Sequence, residues 1–212
     1  GLLGWLLTLD PGEASRLVAA VAGACRNARG ARGERERQTA IALAERYPHD
    51  AGVVTALLLN HVVLEAGEAL FLGSGNLHAY LRGTGVEIMA NSDNVLRGGL
   101  TSKPVDVLTL LDVVDASPFT PTVQRPEPID GVATFVTPVA EFALQHVQVD
   151  GTTTLDGGPA ILLCVEGAVD GAGHTLDRGT AAWVPATEGS IVLTGRGTVF
   201  RAGVGDPESP EE

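Results

Sequence analysis

The chain has 212 residues, 44% hydrophobic and 19% charged, which suits one large or two small globular domains with a buried core. Its net charge of −12 excludes non-specific binding to nucleic acid or an anionic membrane, both of which need a basic face. A small anionic substrate stays open, because it answers to the field of a pocket rather than to net charge. No apolar run approaches the ~18–20 residues of a membrane span. Cys25 and Cys164 are too few and too far apart for a disulfide framework, which predicts a reducing, cytoplasmic compartment.

"GLLGWLLTL" at the start resembles a signal-peptide core, yet it has no basic flank and no convincing cleavage site. With no initiator Met either, the expectation is a fragment or processed product of a larger protein. Residues 1–50 read as helical. Asp10 is the predicted N-cap, Pro11 the first helical residue and Glu13 the capping-box residue. Leu17, Val18, Val21 and Ala24 then recur at helical spacing. A glycine-rich turn at 30–33 leads to a second helix that ends before Pro48.

From Asn60 the period changes. "HVVLEAGEALFL" and "GVEIMA" are short β-rich runs broken by glycines, which predicts an antiparallel sheet or barrel. "SKPVDVLTLLDVVDASP" reads as an ordered connection with a short helical turn, and the Pro-rich 117–131 as a linker or wrapping arm. Strands return in "FALQHVQV", "AILLCVEGAV", "GTAAWVP", "SIVLTG" and "GTVFRAG". The acidic tail 206–212 reads as disordered.

A repeat links the two β-rich regions. Shifted by 112 residues without a gap, 64–88 matches 176–200 at Leu64/Leu176, Gly67/Gly179, Ala69/Ala181, Leu81/Leu193, Gly83/Gly195 and Gly85/Gly197. The second copy is chemically empty: Ser190 stands where His78 does, and Val199 where Glu87 does. The polar groups of the first copy are therefore not a requirement of the fold.

Those groups lie in "SGNLHAYLRGTGVEIMANSDNVLRGGLTSK", residues 74–103, which also hold the only lysine, Lys103, among fourteen basic residues, and the only methionine. The spacing Gly67–x5–Gly73–x–Gly75–x2–His78 resembles the second cupin motif, with glycine at 73 in place of proline. "HAYL" and "VEIMANSDNVLRGGLT", followed by Lys103, closely resemble the signature region of type I phosphomannose isomerases, most strongly over 57–113. The resemblance implies a mainly β fold of two related cupin (jelly-roll) units preceded by a helical segment. Its domain division would be 1–50 (part of an inserted helical domain), 51–116 (the C-terminal half of the catalytic cupin) and 117–205 (a degenerate second cupin).

The resemblance also implies a zinc-dependent interconversion of mannose 6-phosphate and fructose 6-phosphate through a cis-enediol. His78 matches the last of the family's four zinc ligands, projecting inward from a strand; the other three would lie outside this chain. Arg97 matches the catalytic arginine, where a permanent guanidinium stabilises an enediolate or clamps substrate oxygens; otherwise it is a structural partner of Asp93. Glu87 matches a pocket glutamate, for proton transfer, substrate orientation or structural hydrogen bonding. Tyr80 shares the inward parity of His78 and either reaches the pocket or packs the barrel. Lys103 is a phosphate contact or a chance surface lysine. Asn91, Asp93 and Asn94 read as turn builders, and His49, His61, His146 and His174 match no metal motif.

On this reading the parent protein is the isomerase, the chain alone is inactive, and its partner is the missing N-terminal half. The alternative is a non-catalytic cupin, a sugar-phosphate-binding or regulatory module.

Overall fold

The structure is a computed structural model, and it describes residues 1–92 and 94–205. The acidic tail 206–212 and Asp93, two positions on which the sequence carries expectations, lie outside the described residues. The described chain divides into two compact units, residues 1–63, 72–81 and 94–121, and residues 64–71, 82–92 and 122–205.

Five α-helices build the first unit: α1 (Leu2–Leu7), α2 (Pro11–Asn27), α3 (Glu34–Arg46), the single turn α4 (Gly52–Thr55) and α5 (Val107–Val113). Asp10 caps α2 by accepting from the Gly12 and Glu13 amides at 2.8 and 2.9 Å, with Pro11 at the first position, where a missing N–H costs nothing. The buried stripe is Ala14, Val18 and Ala22 rather than the predicted Leu17, Val18, Val21 and Ala24. Small residues at four-residue spacing win this face because they let α2 approach α3, whose own buried positions are Ala40 and Ala44. Val53, Leu43, Tyr47 and Leu100 complete that core, and a second cluster joins Leu6 of α1 to Ala14 and Ala51.

The second unit is a six-stranded antiparallel sheet with a separate two-stranded ribbon. The ribbon pairs β1 (Ala69–Leu70) with β2 (Val123–Gln124). The sheet comprises β3 (Val132–Phe135), β4 (Ala143–Leu155), β5 (Ala160–Gly171), β6 (His174–Asp177), β7 (Ala181–Val184) and β8 (Ile191–Gly203). Its order is β3-β4-β8-β5-β6, with β7 also on β5.

Inward positions of β4 to β8 meet in one cluster that includes Val147, Val149, Leu162, Leu176, Val184, Leu193 and Val199. One face touching itself means that the sheet curls, and glycines make the curl: β5 is irregular between Cys164 and Glu166, followed by Gly167 at φ +72°. A Cβ on Gly167 would sit 2.2 Å from the Arg196 carbonyl oxygen.

This is the expected mainly β architecture with a helical segment ahead of the sheet. "SIVLTG" and "GTVFRAG" form the single strand β8, and the predicted helical turn is α5. The largest departure is at "HVVLEAGEALFL" and "GVEIMA", where the only strand is β1. A strand exists by its ladder partner, and among the described residues only β2 offers one, to Ala69 and Leu70.

Candidate active site

His78 and Tyr80 lie in an irregular, exposed stretch of the first unit, not on the inward face of a strand. Tyr80 is 76% exposed. With no ladder partner for 78–80 among the described residues there is no barrel wall to give the two side chains an inside. They stay together nonetheless, rings edge to face at 6.3 Å between centroids.

The His78 Nδ1 lies 3.0 Å from the Asn76 carbonyl oxygen. A carbonyl oxygen only accepts, so Nδ1 carries the proton and donates. Nε2 is left as the basic, ligand-competent nitrogen, the arrangement typical of metal-binding histidines. His78 thus fits a metal as one ligand. Among the described residues no three His, Cys, Asp or Glu side chains gather to hold an ion, so they present no complete metal site around His78.

Arg97 heads the loop Arg97–Gly98–Gly99–Leu100. The Leu77 side chain packs directly on Gly98, where a Cβ would lie 2.5 Å from Leu77 Cδ1. The Leu77 side chain fills the space a Cβ on Gly98 would take, and through it the segment carrying Arg97 abuts the segment carrying His78. Arg97 and Lys103 are both exposed and make no ion pair among the described residues. The Lys103 backbone N–H donates to Thr101 Oγ1 at 3.1 Å, which fixes the base of its side chain. Glu87 is exposed and belongs to the second unit.

Gly75 is a further anchor. It has φ +78°, its carbonyl accepts from the Asp115 amide at 3.0 Å, and a Cβ there would meet the Val113 carbonyl oxygen at 2.8 Å. The turn before His78 is thereby docked on the end of α5. Two further features belong to the first unit. His61 Nδ1 is enclosed and has no hydrogen-bond partner among the described residues. Asp50 accepts a hydrogen bond from the Leu100 amide at 2.6 Å, a contact spanning fifty residues with no local pattern to announce it.

A curled antiparallel sheet with a helical segment ahead of it in the chain defines a mainly β protein. No family model matches the chain. Within that class it is similar in sequence and structure to proteins named mannose-6-phosphate isomerase or phosphomannose isomerase. It is 37% identical to mannose-6-phosphate isomerase of Escherichia coli strain K12, over 92% of this chain and 51% of that one. To a probable mannose-6-phosphate isomerase of Echinococcus multilocularis it is 43% identical, over 51% of this chain and 27% of that one.

The solved structure of the Salmonella typhimurium mannose 6-phosphate isomerase bound to its substrate and to zinc superimposes with a TM-score of 0.79 and 32% identity. That match covers 97% of this chain and 54% of the other. The chain thus spans about half the length of the curated relatives it matches over most of its own length. Among the described residues, no helix is long and apolar enough to cross a membrane.

Proposed function

We propose that this chain is the C-terminal half of a zinc-dependent aldose–ketose isomerase that interconverts mannose 6-phosphate and fructose 6-phosphate. The division proposed is a helical segment at 1–50, the second half of the catalytic cupin at 51–116 and the degenerate cupin at 117–205. The observation that carries the reading is the contact of Leu77 with Gly98, which sets the His78 and Arg97 segments side by side in a chain similar to these isomerases. The two free cysteines support a reducing, cytoplasmic setting.

The isomerisation moves one proton from C2 of the aldose to C1 and a second from the C2 hydroxyl to the C1 oxygen, through a cis-enediol, so that the carbonyl passes from C1 to C2. Arg97 stabilises the oxygen on which negative charge develops. Glu87 carries the proton between the carbons or orients the neighbouring hydroxyls. Lys103 pairs with the phosphate as a mobile point charge, and Tyr80 lines the sugar beside His78. His78 would hold zinc through Nε2, and the metal would supply Lewis-acid polarisation of the substrate's oxygens. The remaining ligands and the strands that would pair with 78–92 come from the missing N-terminal half, which is the chain's principal partner.

The test is an isomerase assay with mannose 6-phosphate and zinc, on the purified chain alone and mixed with a separately produced N-terminal half of the E. coli relative. The expected result is no turnover alone and turnover in the mixture. Robust turnover by the chain alone would overturn its assignment as half of an active site. A stable complex that binds the sugar phosphate without converting it would replace the isomerase with a binding module.

A further inference from the structure

Leu100 is one of three non-glycine residues among those described that hold a positive φ, here +54°. L-residues are strained in that conformation and keep it only where their surroundings leave no alternative. Two constraints act on Leu100. Its side chain packs into the α2–α3 core, and its amide donates to Asp50 Oδ2 at 2.6 Å.

The other oxygen of Asp50, Oδ1, accepts from the Gly52 amide at 2.7 Å. One carboxylate therefore bridges two backbone amides, in the short geometry of charge-assisted hydrogen bonds. Asp50 is itself immobile, its amide donating to the Tyr47 carbonyl at 3.2 Å and its carbonyl accepting from the Val53 amide at 3.1 Å. Val53 is fully buried.

Glycines let the bridge close. Gly99 has φ +114°, and a Cβ on it would meet Asp50 Oδ1 at 3.0 Å and the Gly52 Cα at 3.2 Å. A Cβ on Gly52 would meet the Leu100 amide nitrogen at 3.1 Å. Together with Leu77 on Gly98, these contacts determine the backbone on the C-terminal side of Arg97.

We infer that Asp50 is a positioning residue: from the helical segment it sets the turn from which Arg97 projects, and through Gly98 and Leu77 the lie of the His78 segment. The catalytic consequence rests on the function proposed above for Arg97; the backbone consequence does not. Asp50 touches no reacting atom. Its role is to spare Arg97 the reorganisation that a loose loop would need before meeting a developing charge.

Two measurements on D50N and D50A test this, with helical circular dichroism showing that each variant folds. D50N nearly preserves volume and guards against loss of D50A to misfolding. In the chain alone, hydrogen exchange at the Leu100 amide is expected to accelerate about tenfold or more in both variants. Unchanged exchange at Leu100 would overturn the inference whatever the chain's activity.

In the complex with the complementary half, D50N is expected to lower kcat about tenfold or more at nearly unchanged KM and zinc content. A loss that tracks only the fraction folded would reduce Asp50 to a stability residue and overturn its positioning role. If the wild-type complex shows no turnover, the functional proposal fails, while Leu100 exchange still decides the positioning.

Discussion

Residues 64–88 and 176–200 are two copies of one pattern that end in different states. Both begin with the same turn. The Glu68 amide donates to the Glu65 carbonyl at 3.1 Å, and at the equivalent place the Thr180 amide donates to the Asp177 carbonyl at 2.9 Å. Gly67 and Gly179 take φ +85° and +87° within those turns, and Gly83 and Gly195 take +118° and +125° further on. β1 begins where β7 begins, at Ala69 and Ala181. From there they part. Leu176 and Leu193 are 2% and 0% exposed, whereas Leu64 and Leu81 are 43% and 47% exposed.

Local sequence thus dictates turns in both copies, and partner strands decide whether the intervening runs become a wall. The second copy has β4 and β5 along the two edges of β8. Among the described residues the first has only β2, against two residues. The copy without a finished wall is the one that carries His78 and Glu87, and where the finished copy has Val199, fully buried, the other has an exposed glutamate.

Cavity-forming substitutions break the comparison most sharply. Leu193→Ala is expected to cost about 2–5 kcal/mol, since it empties a fully enclosed site among β-sheet core residues. Leu81→Ala, its counterpart, is expected to change stability by about 0.5 kcal/mol or less in the isolated chain. Urea denaturation of both variants is the measurement, and equal losses would mean that the two copies are equally packed. The complementary half should raise the cost of Leu81→Ala, if it supplies the absent wall.

Next come the glycines with shared φ. Gly83→Ala places its Cβ in open space, so it carries the conformational penalty alone, about 1–2 kcal/mol. Gly195→Ala carries the same penalty and also drives a Cβ to 2.7 Å from the Ala168 carbonyl oxygen, so β8 must move away from β5. The expected order in thermal denaturation is Gly195→Ala well below Gly83→Ala; the reverse would contradict the assigned register.

Much of this is legible in the sequence where signals are local. Asp10 with Pro11 announces α2, the period-2 runs announce β4, β5, β7 and β8, and the 112-residue shift finds turns that coincide in backbone angle. The helical stripe is misplaced from sequence because apolarity favours Leu17 and Val21 while close helix packing favours Ala14 and Ala22. The strand expected at 85–90 rests on its period alone, and a period says nothing about whether a neighbour is present. At the candidate site the identity of His78, Arg97 and Lys103 comes from motif order. The contacts that set their backbones, Leu77 on Gly98 and Asp50 on Leu100, come only with the fold, because they join segments twenty-one and fifty residues apart.

The smallest expected difference is in acid. In the first copy's turn the Glu68 carboxylate accepts from the Glu65 amide at 2.6 Å and pairs with Arg125 at 2.5 Å. Its pKa is held below the ordinary glutamate value, chiefly by that amide and secondarily by Arg125. A depressed carboxylate stabilises the fold above its unfolded pKa and loses that contribution only as pH falls below about 4.5.

The second copy ends on Phe200, and across the ladder stands His146, the two rings edge to face with 5.1 Å between their centroids. Burial lowers the His146 pKa, and neither Phe200 nor Ala133, opposite it on the two flanking strands, titrates. The unfolded chain then binds the proton more readily, so stability starts to fall as pH drops through about 6.5 and declines until the lowered folded pKa is passed. His146→Gln removes the titration while nearly preserving bulk. Between about pH 7.5 and 5.5, wild-type stability is expected to drop relative to the variant, with amide protection in β4 and β8 declining first and the Glu65–Glu68 turn unaffected. Parallel pH profiles for the two proteins would show that His146 is as well solvated in the sheet as in the unfolded chain.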